Sequence, residues 1–269
     1  MTADIRSGFD SLAGNAMAET VQGRTLERNP LGYAGAGVER VLVQEILTPT
    51  TGSVQTNSKD AILPAIPEET LNQLTHGAGL ALSIAGAVRL LTNTGMDAWL
   101  TAGCWIYAVA LVALYAASTL SHSYDTDPHR TRYRTLDQIA IFAVMAATYT
   151  PVSLFACRDG WWSVPLLLIW VMAGIGIYLK LRVTKTEMVP VWFYVATAAL
   201  PMLAGPRLMQ YTGDTFVWVL AGACCYLLGV VFLVNDTRVR YFHCVWHVLV
   251  ILGSICHYFV ISDIATRAS

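Results

Sequence analysis

The sequence predicts an all-α polytopic membrane protein, a bundle of seven transmembrane helices with an inside amino terminus and an outside carboxyl terminus. Of its 269 residues, 55% are hydrophobic and only 13% are charged, whereas soluble proteins carry about 25% charged residues. Apolar windows of about 20 residues, the length that crosses a bilayer, also recur along most of the chain. The lipid bilayer is therefore the predicted solvent and partner of this region.

The first 66 residues differ from the rest. Residues 1–70 contain nine acidic and five basic side chains, and their apolar stretches are too short to cross a membrane. We expect 1–66 to be a mostly disordered cytoplasmic tail, with one short amphipathic helix at 37–47. Residues 67–269 form the transmembrane domain. The start of the chain lacks the apolar core of a cleaved secretory signal, so we expect the first span to direct insertion.

Composition excludes two classes of protein. The net charge is −1, and there is no basic stripe of the kind that binds nucleic acid. Five of the six cysteines fall within apolar runs, so no framework of disulfides is predicted.

Seven apolar windows separated by short polar segments predict the helices in order. They lie at 71–91, 99–122, 135–156, 161–179, 189–209, 215–235 and 241–262. Pro201 and several glycines fall within these windows, which is typical of closely packed membrane helices.

Orientation follows from the basic residues, because Lys and Arg near span ends favour the cytoplasmic side. The loops after the second, fourth and sixth windows contain eight such residues: Arg130, Arg132, Arg134, Lys180, Arg182, Lys185, Arg238 and Arg240. The other side has four: Arg89, Arg158, Arg207 and Arg267. This asymmetry places the amino terminus inside, and seven spans then place the carboxyl terminus outside.

Ionisable residues within spans are costly and indicate function. Applying the predicted orientation brings several polar residues to one depth near the inner face: His76, Ser118, His122, Asp137, His243 and His247. The pair His243 and His247 is spaced i, i+4, which places both imidazoles on one helix face. Three histidines, His122, His243 and His247, would leave a tetrahedral zinc ion with an open position for water, whose pKa falls to about 7 in such sites. Asp137 could then hold or deprotonate that water.

Simpler interpretations exist for some of these residues. Two histidines four apart at a membrane boundary also occur as interfacial side chains, but the third histidine and the aspartate favour a metal site. We expect His76 to form a hydrogen bond to a neighbouring helix, and His257 to lie near the opposite face. The pair Glu68 and Glu69 fits the first turn of a helix, and the arginines at 130–134 indicate topology and headgroup contact.

Four segments carry a family resemblance: EETLNQLTHG, STLSHSY, LDQIAIFAVMAATYTP and HCVWH. Over residues 68 to about 260, the chain resembles the hemolysin III branch of the progestin and adipoQ receptor superfamily, which includes the adiponectin receptors and is distantly similar to alkaline ceramidases. The resemblance implies seven helices, an inside amino terminus and zinc held by His122, His243 and His247. In the proposed hydrolases of the family, the counterpart of Asp137 contacts the zinc water and that of Ser118 helps position the site.

These observations support several functional hypotheses. The first is a zinc-dependent intramembrane hydrolase of a ceramide-like lipid amide, with Asp137 as general base and Ser118 as an orienting group. The alternative is a heptahelical receptor or membrane-homeostasis sensor, with a structural zinc whose fourth ligand is Asp137. A pore-forming cytolysin is less favoured because the polar residues gather at one depth. Bis-histidine haem ligation would leave Asp137 unexplained.

Overall fold

A computed structural model describes residues 66–92, 97–124, 126–182 and 188–269. The predicted tail and its helix at 37–47 lie outside these residues, apart from Ile66. Within the described ranges, the chain is helical and contains no strand. The predicted all-α class is therefore confirmed for this part of the chain.

The described residues form eight α-helices, named α1 to α8 in chain order. They are Glu68–Thr92, Ala98–Ser121, His129–Ala156, Val164–Arg182, Val191–Ala199, Gly205–Thr212, Phe216–Val234 and Phe242–Arg267. The windows at 71–91, 99–122, 135–156, 161–179 and 241–262 correspond to α1, α2, α3, α4 and α8. The start of α3, at His129, precedes its window by two turns and includes the basic segment.

Among the described residues, six helical stretches are long and apolar enough to cross a membrane. The count of seven is not confirmed, because the fifth and sixth windows fall in one 44-residue helical stretch, Val191–Val234. A straight helix of that length would measure about 66 Å, twice the hydrocarbon thickness of about 30 Å.

That stretch is interrupted at three points. Pro201 lies in a 3-10 turn at Leu200–Ala204, and Pro206 lies in the first turn of α6. Proline lacks the N–H that would continue the helical hydrogen bonds. Gly213 ends α6 with a φ of 56°, in the left-handed region that glycine adopts without strain. The window at 189–209 therefore forms two short helices, and α7 corresponds to the window at 215–235.

Close packing fixes the position of α2 relative to α3. A Cβ atom on Gly103 would lie 2.7 Å from the Cα of Pro151, so the two backbones approach more closely than any other residue at 103 would allow. Another side of α2 packs on α1, where Tyr115 covers Gly79. Small residues at such crossings are the usual device for packing helices in lipid.

A shared hydroxyl connects α2, α7 and α8. Ser254 of α8 accepts a hydrogen bond from the Tyr115 hydroxyl at 2.9 Å, and its oxygen lies 3.1 Å from the Tyr226 hydroxyl. Since lipid offers no alternative partner, these contacts satisfy polar groups that would otherwise be costly to bury. These contacts join α2, near the start of the described chain, to α7 and α8 at its end.

Candidate metal centre

Three histidines converge where the end of α2 meets the start of α8. One ring nitrogen from each of His122, His243 and His247 lies within 4.8 Å of the other two. The rings of His243 and His247 have centroids 4.5 Å apart, and His122 lies 5.0 Å from His247. The structure thus brings together all three residues that the sequence predicted as metal ligands.

Local structure explains this placement. His122 follows the last residue of α2 and caps it, with its backbone N–H directed to the carbonyl of Ser118. Tyr241 has a φ of 67° immediately before α8, so the chain turns sharply before Phe242. The first two turns of α8 then direct His243 and His247 to one side.

Each clustered imidazole has a contact through Nδ1. The Nδ1 atom of His122 lies 2.6 Å from a carboxylate oxygen of Glu69, and that of His243 lies 2.8 Å from Asp236. The Nδ1 atom of His247 lies 3.3 Å from the Thr75 hydroxyl oxygen.

Glu69 is part of a charged cluster that joins α1 to the start of α3. Arg130 donates a hydrogen bond to the second carboxylate oxygen of Glu69 at 2.8 Å, and Arg134 lies 3.7 Å from the same oxygen. Glu69 is therefore more than an acidic residue in a first helical turn, and Arg130 and Arg134 have a protein partner in addition to any role in topology. From the sequence alone, Glu69 is interpreted only as an acidic residue in the first turn of a helix.

His76 differs from the prediction. Neither of its ring nitrogens has a hydrogen-bond partner, although the residue is buried, so the expected interhelical hydrogen bond is wrong. Its ring instead stacks on His247 and contacts the edge of Tyr115. His76 therefore does contact neighbouring helices, but through its ring and not through a hydrogen bond of either ring nitrogen.

Ser118 lies on α2, one turn before His122, and Asp137 lies on α3. The Ser118 hydroxyl is buried and interacts with the Asp137 carboxylate, but no hydrogen bond of regular geometry joins them. Asp137 does not belong to this group of converging ligand atoms, which consists of the three histidines. The pair is therefore separate from the ligand set, although Ser118 lies one helical turn before His122.

The donor set fits a divalent ion that accepts imidazole. Nitrogens on a tetrahedral zinc lie about 3.4 Å apart when each Zn–N bond is about 2.1 Å. Separations of at most 4.8 Å could reach this value through small rotations of the side chains. Three protein ligands also leave one coordination position for water or substrate.

Other candidate residues lie apart from the cluster. His257 faces the carbonyl of Val219 and the ring of Tyr226, consistent with its exclusion from the site. All six cysteines are unpaired. Burial raises the pKa of Cys157, which follows the end of α3.

Comparisons with known proteins identify the family of the chain. Residues 65–258 match the family described as haemolysin-III related. The chain is 29% identical to a hemolysin-3 homolog of Bacillus subtilis (strain 168), with 73% of this chain and 93% of the relative covered. It is 31% identical to hemolysin-3 of Bacillus cereus, with 73% and 91% covered.

A human protein shows a similar relationship. The monocyte to macrophage differentiation factor of Homo sapiens is 28% identical, with 74% of this chain and 84% of the relative covered. All four segments of the resemblance fall within the matched region. Together with the six apolar helical stretches, the match indicates a multi-pass integral membrane protein.

Proposed function

Because the chain belongs to the haemolysin-III-related family, we propose that it is a zinc-dependent intramembrane hydrolase that cleaves a ceramide-like lipid amide. The observation that carries this proposal is the convergence of three histidine nitrogens, with the buried Ser118 one helical turn before His122. His122, His243 and His247 would hold the ion. When bound, zinc supplies Lewis acidity and water activation for hydrolysis.

Asp137 is suited to moving protons. Its carboxylate does not belong to the ligand group, and the sequence predicts it at the same depth. We therefore expect it to accept a proton from the attacking water and later to protonate the leaving nitrogen. Ser118, whose hydroxyl lacks a regular hydrogen bond, could orient water or donate to the developing oxyanion. These roles require Asp137 to remain outside the coordination shell.

An apolar cavity could hold the acyl chain. It has a volume of about 350 Å³ and lies between α1, α2 and α8, with Ala108, Leu111, Tyr115 and Ile251 among its lining residues. Tyr115 connects the cavity to the candidate metal centre. The same side chain contacts His76, and His76 stacks on His247. The cavity is thus one layer of side chains away from the cluster.

We also propose seven crossings with the amino terminus inside. The asymmetry of basic residues supports the orientation, and the length of the Val191–Val234 stretch, with its break at Gly213, supports two crossings there. With this topology, the candidate metal centre would lie near the cytoplasmic face of the membrane.

The structural-zinc alternative makes a different demand on Asp137. A closed site would use its carboxylate as the fourth ligand, and the geometry of the histidine group does not include it. The names of the bacterial relatives suggest cytolysis, but the clustering of polar groups at one depth does not favour the continuous polar lining of a pore.

The decisive experiment measures fatty acid release from ceramide by the detergent-purified protein. We expect activity that is lost on chelation and restored by zinc, with Asp137→Asn inactive but still carrying one equivalent of zinc. Ser118→Ala should fold, bind zinc and turn over more slowly. If Asp137→Asn loses zinc and unfolds, the structural alternative is favoured. If zinc-loaded wild type releases no fatty acid from any lipid amide, the hydrolase proposal is wrong.

A further inference from the structure

Each of the three clustered histidines has an oxygen partner for one of its ring nitrogens, which the spacing of the ligands alone does not require. Each uses Nδ1 for a contact with an oxygen from outside the cluster, supplied by Glu69, Asp236 and Thr75. None of these oxygens comes from a predicted ligand. Glu69 and Thr75 belong to α1, and Asp236 lies in the turn between α7 and α8.

The chemistry of the partners determines which atom carries the proton. An ionised carboxylate can only accept hydrogen bonds, so Nδ1 of His122 and of His243 must donate to Glu69 and Asp236. The Thr75 hydroxyl directs its hydrogen to the carbonyls of Leu71 and Asn72, each 2.9 Å away. Its lone pairs are therefore available to accept from Nδ1 of His247.

From these contacts we infer that Glu69, Asp236 and Thr75 are positioning residues that hold all three imidazoles with Nδ1 protonated and Nε2 free to bind the ion. The inference rests on the proposed zinc site. A neutral imidazole has one donor and one acceptor nitrogen, and occupation of Nδ1 leaves the Nε2 lone pair for the metal. An acceptor behind each ligand also fixes the plane of its ring and raises its basicity.

Glu69 is itself held in place. One of its oxygens faces His122 at 2.6 Å, while the other receives Arg130 at 2.8 Å. The arginine favours the ionised carboxylate and prevents it from rotating away from the imidazole. As a result α1, which contributes no ligand, contacts two of the three ligands.

Removal of such a partner typically lowers metal affinity 10- to 100-fold. The test measures zinc affinity by competition with a chromophoric chelator, using purified full-length protein. We expect Glu69→Gln and Asp236→Asn to bind zinc about 10- to 100-fold more weakly, with one equivalent still bound at saturation. Thr75→Val should have a smaller effect, because its contact is longer and uncharged.

Asp97→Asn is the matched control. Asp97 is also a carboxylate paired with an arginine, 3.3 Å from Arg158, and asparagine can keep its cap on Leu100. It lies at the opposite end of α2, about 36 Å from His122. We expect this variant to bind zinc as wild type does.

Cobalt provides a readout that separates ligand positioning from general stability. The visible spectrum of cobalt-loaded protein depends on the geometry of its ligands, and it should shift in Glu69→Gln and Asp236→Asn but not in Asp97→Asn. Asp236 and Glu69 lie on separate segments, so one variant carries the test should the other fail to fold.

The outcomes distinguish this inference from the proposed function. Zinc affinities of Glu69→Gln and Asp236→Asn within twofold of wild type, with unchanged cobalt spectra, would overturn it. Weaker zinc binding in these variants of a protein without hydrolase activity would support it and reject the hydrolase. A wild-type protein that binds no zinc would overturn both this inference and the proposed function.

Discussion

His76 stacks on His247 with ring centroids 3.5 Å apart and planes inclined by 24°. His247 is also only 1% exposed and belongs to the metal-ligand group, whereas both nitrogens of His76 lack partners. The two rings therefore differ: His247 belongs to the group that could hold an ion, and His76 supplies a packing surface behind it.

The first prediction concerns this packing role. His76→Leu has a similar volume and removes two buried nitrogens without breaking a hydrogen bond, so we expect stability to change by about 1.5 kcal/mol or less. Zinc stoichiometry should remain at one. Thermal unfolding and metal analysis of the purified variant check both points, and loss of the zinc would show that His76 is a ligand.

A second prediction addresses the ligands themselves. His243→Ala removes one of three imidazoles from the group, and we expect the purified variant to lose most of its zinc. His129→Ala is the control, because His129 is an exposed histidine at the start of α3. Full zinc occupancy in His243→Ala, measured beside wild type, would remove this residue from the site.

The acyl-chain cavity gives a third prediction. Ala108 is 4% exposed and lines the cavity, so Ala108→Leu would fill part of the space. We expect KM for a long-chain ceramide to rise more than KM for a short-chain one, with zinc content unchanged. An equal change for both chain lengths would place the acyl chain elsewhere.

Membrane topology supplies the fourth prediction. Seven crossings place the two termini on opposite faces, whereas six would place them on the same face. An epitope at the carboxyl terminus should be accessible in intact cells, and one at the amino terminus only after permeabilisation. Equal accessibility of the two epitopes would contradict an odd number of membrane crossings.

Much of the site was predictable because it depends on spacing along regular helices. The i, i+4 separation of His243 and His247 follows from 3.6 residues per turn, and the common depth of His122 follows from the length of the apolar windows. The orientation predicted from the basic residues was also needed to bring the three imidazoles to one depth, and the family resemblance implied the same three ligands.

The supporting contacts were not predictable in the same way. Asp236 reaches His243 through the conformation of a turn, and Glu69 reaches His122 through the packing of α1 against α2. Apolar periodicity contains no information on either. The break near Pro201 was also missed, since a proline within an apolar window is compatible with a kinked helix as well as with two separate ones.

The contact between Gly103 and Pro151 has a consequence for the distant Ser118 and Asp137 pair. Gly103 and Ser118 lie on one helix, and Pro151 and Asp137 lie on the next, so this crossing sets the sliding register between the serine and the carboxylate. A methyl group added at residue 103 would push the two helices apart or along one another. The proton transfer proposed for Asp137 would thus be impaired by a change that leaves both the serine and the carboxylate chemically intact.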